Sequence, residues 1–337
     1  MISFRRDTLP AAGSRRTDFR SARWTGLAAA FLSALLTVSC ATIESRQAAA
    51  RLERMAGLIE EVKAFGRTLG IEPTEALSRI AREGPALSIL WFWMQREGTL
   101  ALRGPMDIHM AIGIGGENER LKIEQVYRVE GYSVYYRQGT EFADARSVAT
   151  VGFAEEPIAR RVKVILHEDL HGDVNFALPW EVEEAIVTPL GSLAAVEYFR
   201  WKGDTENLQQ ALASLDEGLR VSRELTALVA QAERIFSVEP VLAAKQRVLS
   251  LLGQFPEYRS QFERQLRGQH APTALEAKLS HDLAYYRYFE TVAALAERAP
   301  SLKALIQDLK GLPRDATPEI ADRFLQNLKF RYGEAGF

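Results

Sequence analysis

The residues best placed to do chemistry are two of the five histidines, His167 and His171, in the stretch ILHEDLHGD over positions 165–173. On a helix, side chains four positions apart lie on one face, one turn above the other, so both imidazoles can reach a single metal ion. Glu168 follows the first histidine directly, where its carboxylate can reach a water on that ion. Zinc accepts imidazole nitrogens readily, and a catalytic site keeps three protein ligands and one open position. The metal lowers the pKa of the water and polarises a scissile carbonyl. The carboxylate takes the proton and passes it to the leaving amine. That is the logic of the H-E-x-x-H pattern. It predicts one Zn2+ ion, with His167 and His171 as ligands and Glu168 as general base.

The third ligand is less determined. No histidine follows at H-x-x-G-x-x-H spacing, which excludes a three-histidine site of that kind. The acids of LPWEVEEAIVTPLGSLAAVEYFRW are candidates: Glu181, Glu183, Glu184 and Glu197. A helix packed across the first could bring one of them to the metal and complete a His2Glu set. Spacing does not choose among them, and each also reads as an acid favoured near a helix start. Glu181 or Glu183 could equally hold the free ammonium of a substrate. A donor to the oxyanion of the tetrahedral intermediate is also required. The stretch HDLAYYRYFE offers His281, Tyr285, Tyr286 and Tyr288, and tyrosines at such spacing are also ordinary packing residues.

These residues need elements to position them. Glu155 and Glu156 ahead of Pro157 form a helix-start signal, and Ile158, Val162, Ile165 and Leu166 give the new helix an apolar stripe ending near Gly172. The active-site helices are expected over about 157–201. Upstream, 42–69 reads as a helix closed by Gly70, and PTEALSRIA, from Pro73, reads as the start of the next. SILWFWM, 88–94, reads as a buried aromatic run. AIGIGGENER, 111–120, lacks the lysine and spacing of a phosphate-binding loop and reads as a turn. GYSVYYRQGTEF, 131–142, alternates as a strand does, with a turn after it. From Thr205 to about 331 the pattern is helical almost throughout. The fold class expected is mainly α with a small β-sheet (α+β). No repeat or low-complexity linker marks a boundary, so 40–337 is expected to be a single domain.

Composition adds an address. The chain has 337 residues and a formal net charge of −2, and nothing in it favours nucleic acid as a partner. Six arginines and two aspartates fall within residues 1–23, ahead of a short apolar run ending in LLTVSC at the single cysteine, Cys40. That run is too short to span a bilayer and reads as a signal peptide over 1–39. The small residues before Cys40 resemble a bacterial lipobox, in which the cysteine is lipidated and becomes the N-terminus. The expectation is a chain lipid-anchored to a membrane in the bacterial envelope, facing the periplasm.

On its H-E-x-x-H helix and the acid that follows, the chain resembles a family of bacterial lipoproteins described as zinc aminopeptidases. In that family an acid on the next helix is followed by a glycine seven places later. Glu184 and Gly191 have this spacing, with Glu184 thirteen places after His171. IEEVKAFGRTLGI (59–71) and GYSVYYRQGTEFADARSVATVGFAEEPI are similar to its early helix and its tyrosine-containing strand. The resemblance covers most of the chain after Cys40 and implies a zincin-like core, Glu184 as third ligand and a peptide substrate cut from its amino end. Glu183 stands where the family has asparagine, and cysteines common before the family's strand are absent. Pro189, five places after Glu184, removes a helical hydrogen bond, which leaves open whether Glu184 lies on a helix or a loop. Two readings follow: a zinc-dependent peptidase, or a non-enzymatic envelope lipoprotein whose metal site is structural or vestigial and whose long helices bind a partner.

Overall fold

A computed structural model describes residues 46–80, 88–112, 117–143, 146–174 and 178–334. Residues 1–39, read as a signal peptide, Cys40 and residues 113–116 of the stretch read as a turn lie outside these. Contacts divide the chain into residues 1–50 and 51–337. Of the first unit, 46–50 are described, as the start of helix α1 (46–68). The second unit carries everything that follows.

Helix α1 buries Leu52, Met55, Ile59, Val62 and Phe65, spaced three or four apart. It closes at Gly70, whose φ of +81° suits a residue without Cβ. The expected helix at Pro73 does not form. Residues 73–80 are turns leading into the short strand β1 (Arg79–Ile80), which pairs in parallel with β5 (Val148–Ala149). Tertiary hydrogen bonds override local propensity here. The Thr74 N–H and hydroxyl both donate to Asp169 at 2.9 Å, and the Leu77 N–H donates to the Ser147 carbonyl with Leu77 at φ +58°.

The aromatic run is strand β2 (Ile89–Arg96), the centre of an antiparallel sheet of order β3-β2-β4 with β3 (Ile108–Ile112) and β4 (Tyr132–Gly139). Strand alternation divides its side chains between two surroundings. Leu90, Phe92 and Met94 pack with Ile123 and Tyr127 of helix α2 (Glu117–Val129). Ile89, Trp91 and Trp93 turn instead to the cavity described below.

The remainder is helical: α3 (Val151–Glu155), α4 (Ile158–Val174), α5 (Trp180–Lys202), α6 (Thr205–Val238), α7 (Val241–Leu251), α8 (Pro256–Leu266), α9 (Ala271–Tyr286), α10 (Phe289–Arg298), α11 (Leu302–Leu309) and α12 (Pro318–Glu334). The mainly helical α+β class read from the sequence is what is observed. Helix α5 is buried on nearly every side, which makes it the axis of the molecule. It packs on α4, α6, α9 and α10. One core joins α1, α4, α5 and α10–α12, and a second joins the inner sheet face to α6–α9. Among the described residues no helix is long and apolar enough to cross a membrane.

Candidate metal centre

The centre is built where α4 crosses α5. Val162, Ile165, Leu166 and Leu170 turn the apolar face of α4 into the core. His167, Glu168 and His171 are left on the face that lines a cavity. Helix α5 approaches this face at Gly191. A Cβ there would lie 3.0 Å from the His167 Cβ and 3.3 Å from its Cα. The glycine seven places after Glu184 is thus a point of close helix contact.

Pro189 does not end α5. The helix runs unbroken from Trp180 to Lys202 with the proline inside it. The hydrogen bond forfeited is the one the Ala185 carbonyl would have accepted. Glu184 therefore sits within the second turn of a formed helix, and its carboxylate meets both histidines.

The donor atoms of the three residues lie close together, with a different Glu184 oxygen nearest each imidazole. His167 Nε2 lies 3.2 Å from His171 Nε2 and 3.4 Å from Glu184 Oε2, and His171 Nε2 lies 3.6 Å from Glu184 Oε1. Ligand atoms about 2.0–2.1 Å from a zinc ion at a tetrahedral angle lie about 3.3–3.4 Å apart. The His167–His171 distance and each histidine's distance to its nearer Glu184 oxygen are close to that spacing, and one candidate donor atom from each residue lies within 4.8 Å of the others. Glu184 Oε2 is buried and accepts no hydrogen bond. His167, His171 and Glu184 thus form a group that could hold a metal ion, and among the described residues it is the group of three or more ligand-type side chains that does so.

Electrostatics point the same way. Burial alone would lower the His171 pKa, but Glu184, Glu183 and Glu168 together raise it to about 10. Burial opposes ionisation of Glu184, yet the two histidines hold its pKa at about 2. The carboxylates so surround the imidazoles that a positive charge is wanted between them, as a proton or a metal. Glu168 differs: it is buried, and burial pushes its carboxyl up against the pull of both histidines. A carboxylate with raised pKa beside a ligand is suited to proton transfer.

The other acids divide by partner. Glu183 Oε1 accepts from His171 Nδ1 at 2.6 Å. That bond fixes the tautomer whose Nε2 lone pair faces His167 and Glu184. Glu181 accepts from the Met106 N–H at 2.8 Å and ties α5 to the loop after β2. Both acids considered for a substrate ammonium are therefore already engaged. Glu197 pairs with Arg200 at the surface and takes no part.

The four residues considered for oxyanion stabilisation also separate. Tyr288 donates to the Pro318 carbonyl at 2.9 Å, and Tyr286 donates to Gln261 at 3.1 Å. Tyr285 and His281 line the cavity and both interact with the Glu184 charge. Burial, with Glu184 and Glu168 adding to it, holds the Tyr285 hydroxyl firmly protonated. Burial lowers His281 to about 4 although Asp282 Oδ1 lies 2.8 Å from its Nδ1. Asp282 is meanwhile balanced by the buried Lys278.

The cavity measures about 1000 Å3. Its sheet-side wall is aromatic: Trp93 stacks on His109 with centroids 5.5 Å apart, and Trp180 lies 4.5 Å from His109. Beneath α4, Asp169 accepts from Lys63 at 2.5 Å as well as from Thr74, and so fastens α4 to α1. Sequence reasoning missed Glu183 as the orienting partner, the aromatic wall and the Asp169 anchor. Trp91 and Trp93 carried the available signal, two positions apart on a strand and hence on one face. Asp169, inside the motif itself, carried none that distinguishes it from a solvated acid.

Compared with protein-family models, curated proteins and solved structures, the chain matches none.

Proposed function

We propose that the chain is a metal-dependent peptidase in which His167, His171 and Glu184 hold one zinc ion and Glu168 is the general base, on a zincin-like pair of helices. The observation that carries this reading is the convergence of His167, His171 and Glu184, with nearest donor atoms 3.2, 3.4 and 3.6 Å apart across both Glu184 oxygens, on the wall of a cavity of about 1000 Å3. Two imidazole nitrogens among three donors favour zinc over magnesium or calcium. When bound, the ion supplies a Lewis acid that acidifies water and polarises a carbonyl.

The chain's own side chains supply the rest. Glu168 accepts a proton from the attacking water and delivers it to the leaving amine, which its raised pKa supports. Glu183 keeps His171 in the ligating tautomer. Tyr285, protonated and on the cavity wall, is the donor available to the oxygen that gains charge as the carbonyl is attacked. Among the described residues three such groups converge, and a zinc ion held by them would keep a position for water, as a catalytic site needs.

Elemental analysis and a peptide-hydrolysis assay on wild type and Glu168→Gln test this reading. The expected outcome is zinc in both proteins and hydrolysis in the wild type alone. A protein that holds zinc and cleaves nothing would fit the scaffold reading instead. The proposal extends to a lipid anchor at Cys40 in the bacterial envelope. Incorporation of a labelled fatty acid in cells, lost in Cys40→Ala, is the expected result; equal labelling would refute it.

A further inference from the structure

The cavity holds positive charge that the metal chemistry does not use. Lys163 stands one helical turn before His167 on α4, so Lys163, His167 and His171 form one column along the cavity. Its ammonium finds no hydrogen-bond or ion-pair partner among the described residues. The acid that acts on it, Glu217, is held by Arg264 at 2.9 Å. Arg137, from β4 on the sheet side of the same cavity, also has no ion-pair partner there. Arg160, by contrast, is paired: its Nε lies 3.6 Å from Glu156 and its Nη2 4.0 Å from Glu141. Long cationic side chains usually reach water or a carboxylate, and cations left unpaired inside a cavity mark where an anion belongs.

The acids supply the contrast. An exopeptidase acting at the amino end needs a free carboxylate for the substrate ammonium, and Glu181 and Glu183 are both committed to the protein. Glu141, a further carboxylate on the cavity, lies 4.0 Å from Arg160, whereas Lys163 and Arg137 have no ion-pair partner among the described residues. One helical turn rises about 5.4 Å, and an extended peptide advances about 3.3–3.6 Å per residue. A lysine one turn from the metal ligands can thus meet a carboxylate one or two residues beyond the scissile bond.

We infer that Lys163, with Arg137, binds a carboxylate of the substrate on the C-terminal side of the cleaved bond, so that the preferred substrates are peptides recognised by that carboxylate rather than by their free amino end. The identity of the substrate as a peptide rests on the function proposed above; the anion subsite itself does not. The carboxylate is either the terminal one or that of an acidic side chain.

Two measurements test this. The first compares hydrolysis of an N-acetylated tripeptide with its C-terminal amide and with an amide carrying aspartate after the scissile bond. The free acid should be favoured by about tenfold or more, mainly through KM, as for a charge-assisted hydrogen bond. Equal preference for the aspartyl amide would assign the carboxylate to a side chain. The second follows binding of the N-acetylated acid and its amide to zinc-loaded Glu168→Gln by tryptophan fluorescence. The acid should bind about tenfold more tightly, and adding Lys163→Gln should abolish the difference while Lys163→Arg preserves it. Retained zinc in each variant reports a folded site. Equal cleavage of the acid, the amide and the aspartyl amide, or cleavage that requires a free amino group and ignores both carboxylates, would overturn the inference. Selective binding without cleavage would keep the subsite and refute the peptidase reading.

Discussion

At the scale of single residues, the site is a set of carboxylates each given a different task by its surroundings. Glu184 is held ionised by two imidazoles, Glu168 is pushed toward protonation by burial, and Glu183 is spent on His171 Nδ1. Losing Glu183 should leave the three ligands assembled but badly oriented. Glu183→Ala is expected to weaken zinc binding by about 10–100-fold, measured by competition with a chromogenic chelator. Protons compete for the same atoms. The His171 pKa is raised to about 10, so near neutral pH the metal-free site carries a proton that zinc must displace. Zinc affinity should therefore rise with pH from 6 to 8, with proton release visible when calorimetry is repeated in buffers of different ionisation enthalpy. A pH-independent affinity would contradict this account of the site. The histidines and Glu168 were legible because H-E-x-x-H spacing matches one helical face. Glu183 was visible only as one acid among four, since ligand and orienting partner differ by which way the helix turns them.

At the scale of elements, two helices make the centre and one buried ion pair steadies them. The Lys63–Asp169 pair has side chains only 9% and 1% exposed, and Thr74 completes the carboxylate's bonds. Removing one partner strands the other in the core. Asp169→Ala is predicted to cost about 3–5 kcal/mol, read from denaturant unfolding, with a smaller loss in the double variant Lys63→Met, Asp169→Leu. Equal losses in the two variants would show that the pair contributes little beyond packing. The same carboxylate explains where sequence periodicity failed. The residues from Pro73 have helical composition, yet Thr74 is drawn to Asp169 ninety-five positions away and the segment folds as turns. Helices such as α4 and α6 were readable because their apolar stripes are local. At α5 the proline seemed a break, but a helix buried on nearly all sides is fixed by its neighbours more than by one missing hydrogen bond.

At the scale of the whole molecule, the cavity belongs to no single segment. Its walls come from the inner face of the sheet, from α4 and α5, and from α9, and no spacing in the chain reports that these meet. The aromatic run at 88–94 read as core, and Phe92 and Met94 are core. Trp93 is core as well, and on the alternate face it and Trp91 also line the cavity that His167 and His171 border. The centre joins elements that are already packed, so metal removal should lower the melting temperature without unfolding the chain. Circular dichroism before and after chelation checks this; loss of helical signal would mean that the metal holds the fold. The central claim is that Glu168 moves a proton for an ion held by His167, His171 and Glu184. The most direct measurement is zinc content alongside peptide hydrolysis in wild type and Glu168→Gln. One zinc per chain in both, with hydrolysis confined to the wild type, is the predicted result. Hydrolysis that persists in Glu168→Gln, or a purified wild-type protein that binds no zinc, would contradict it.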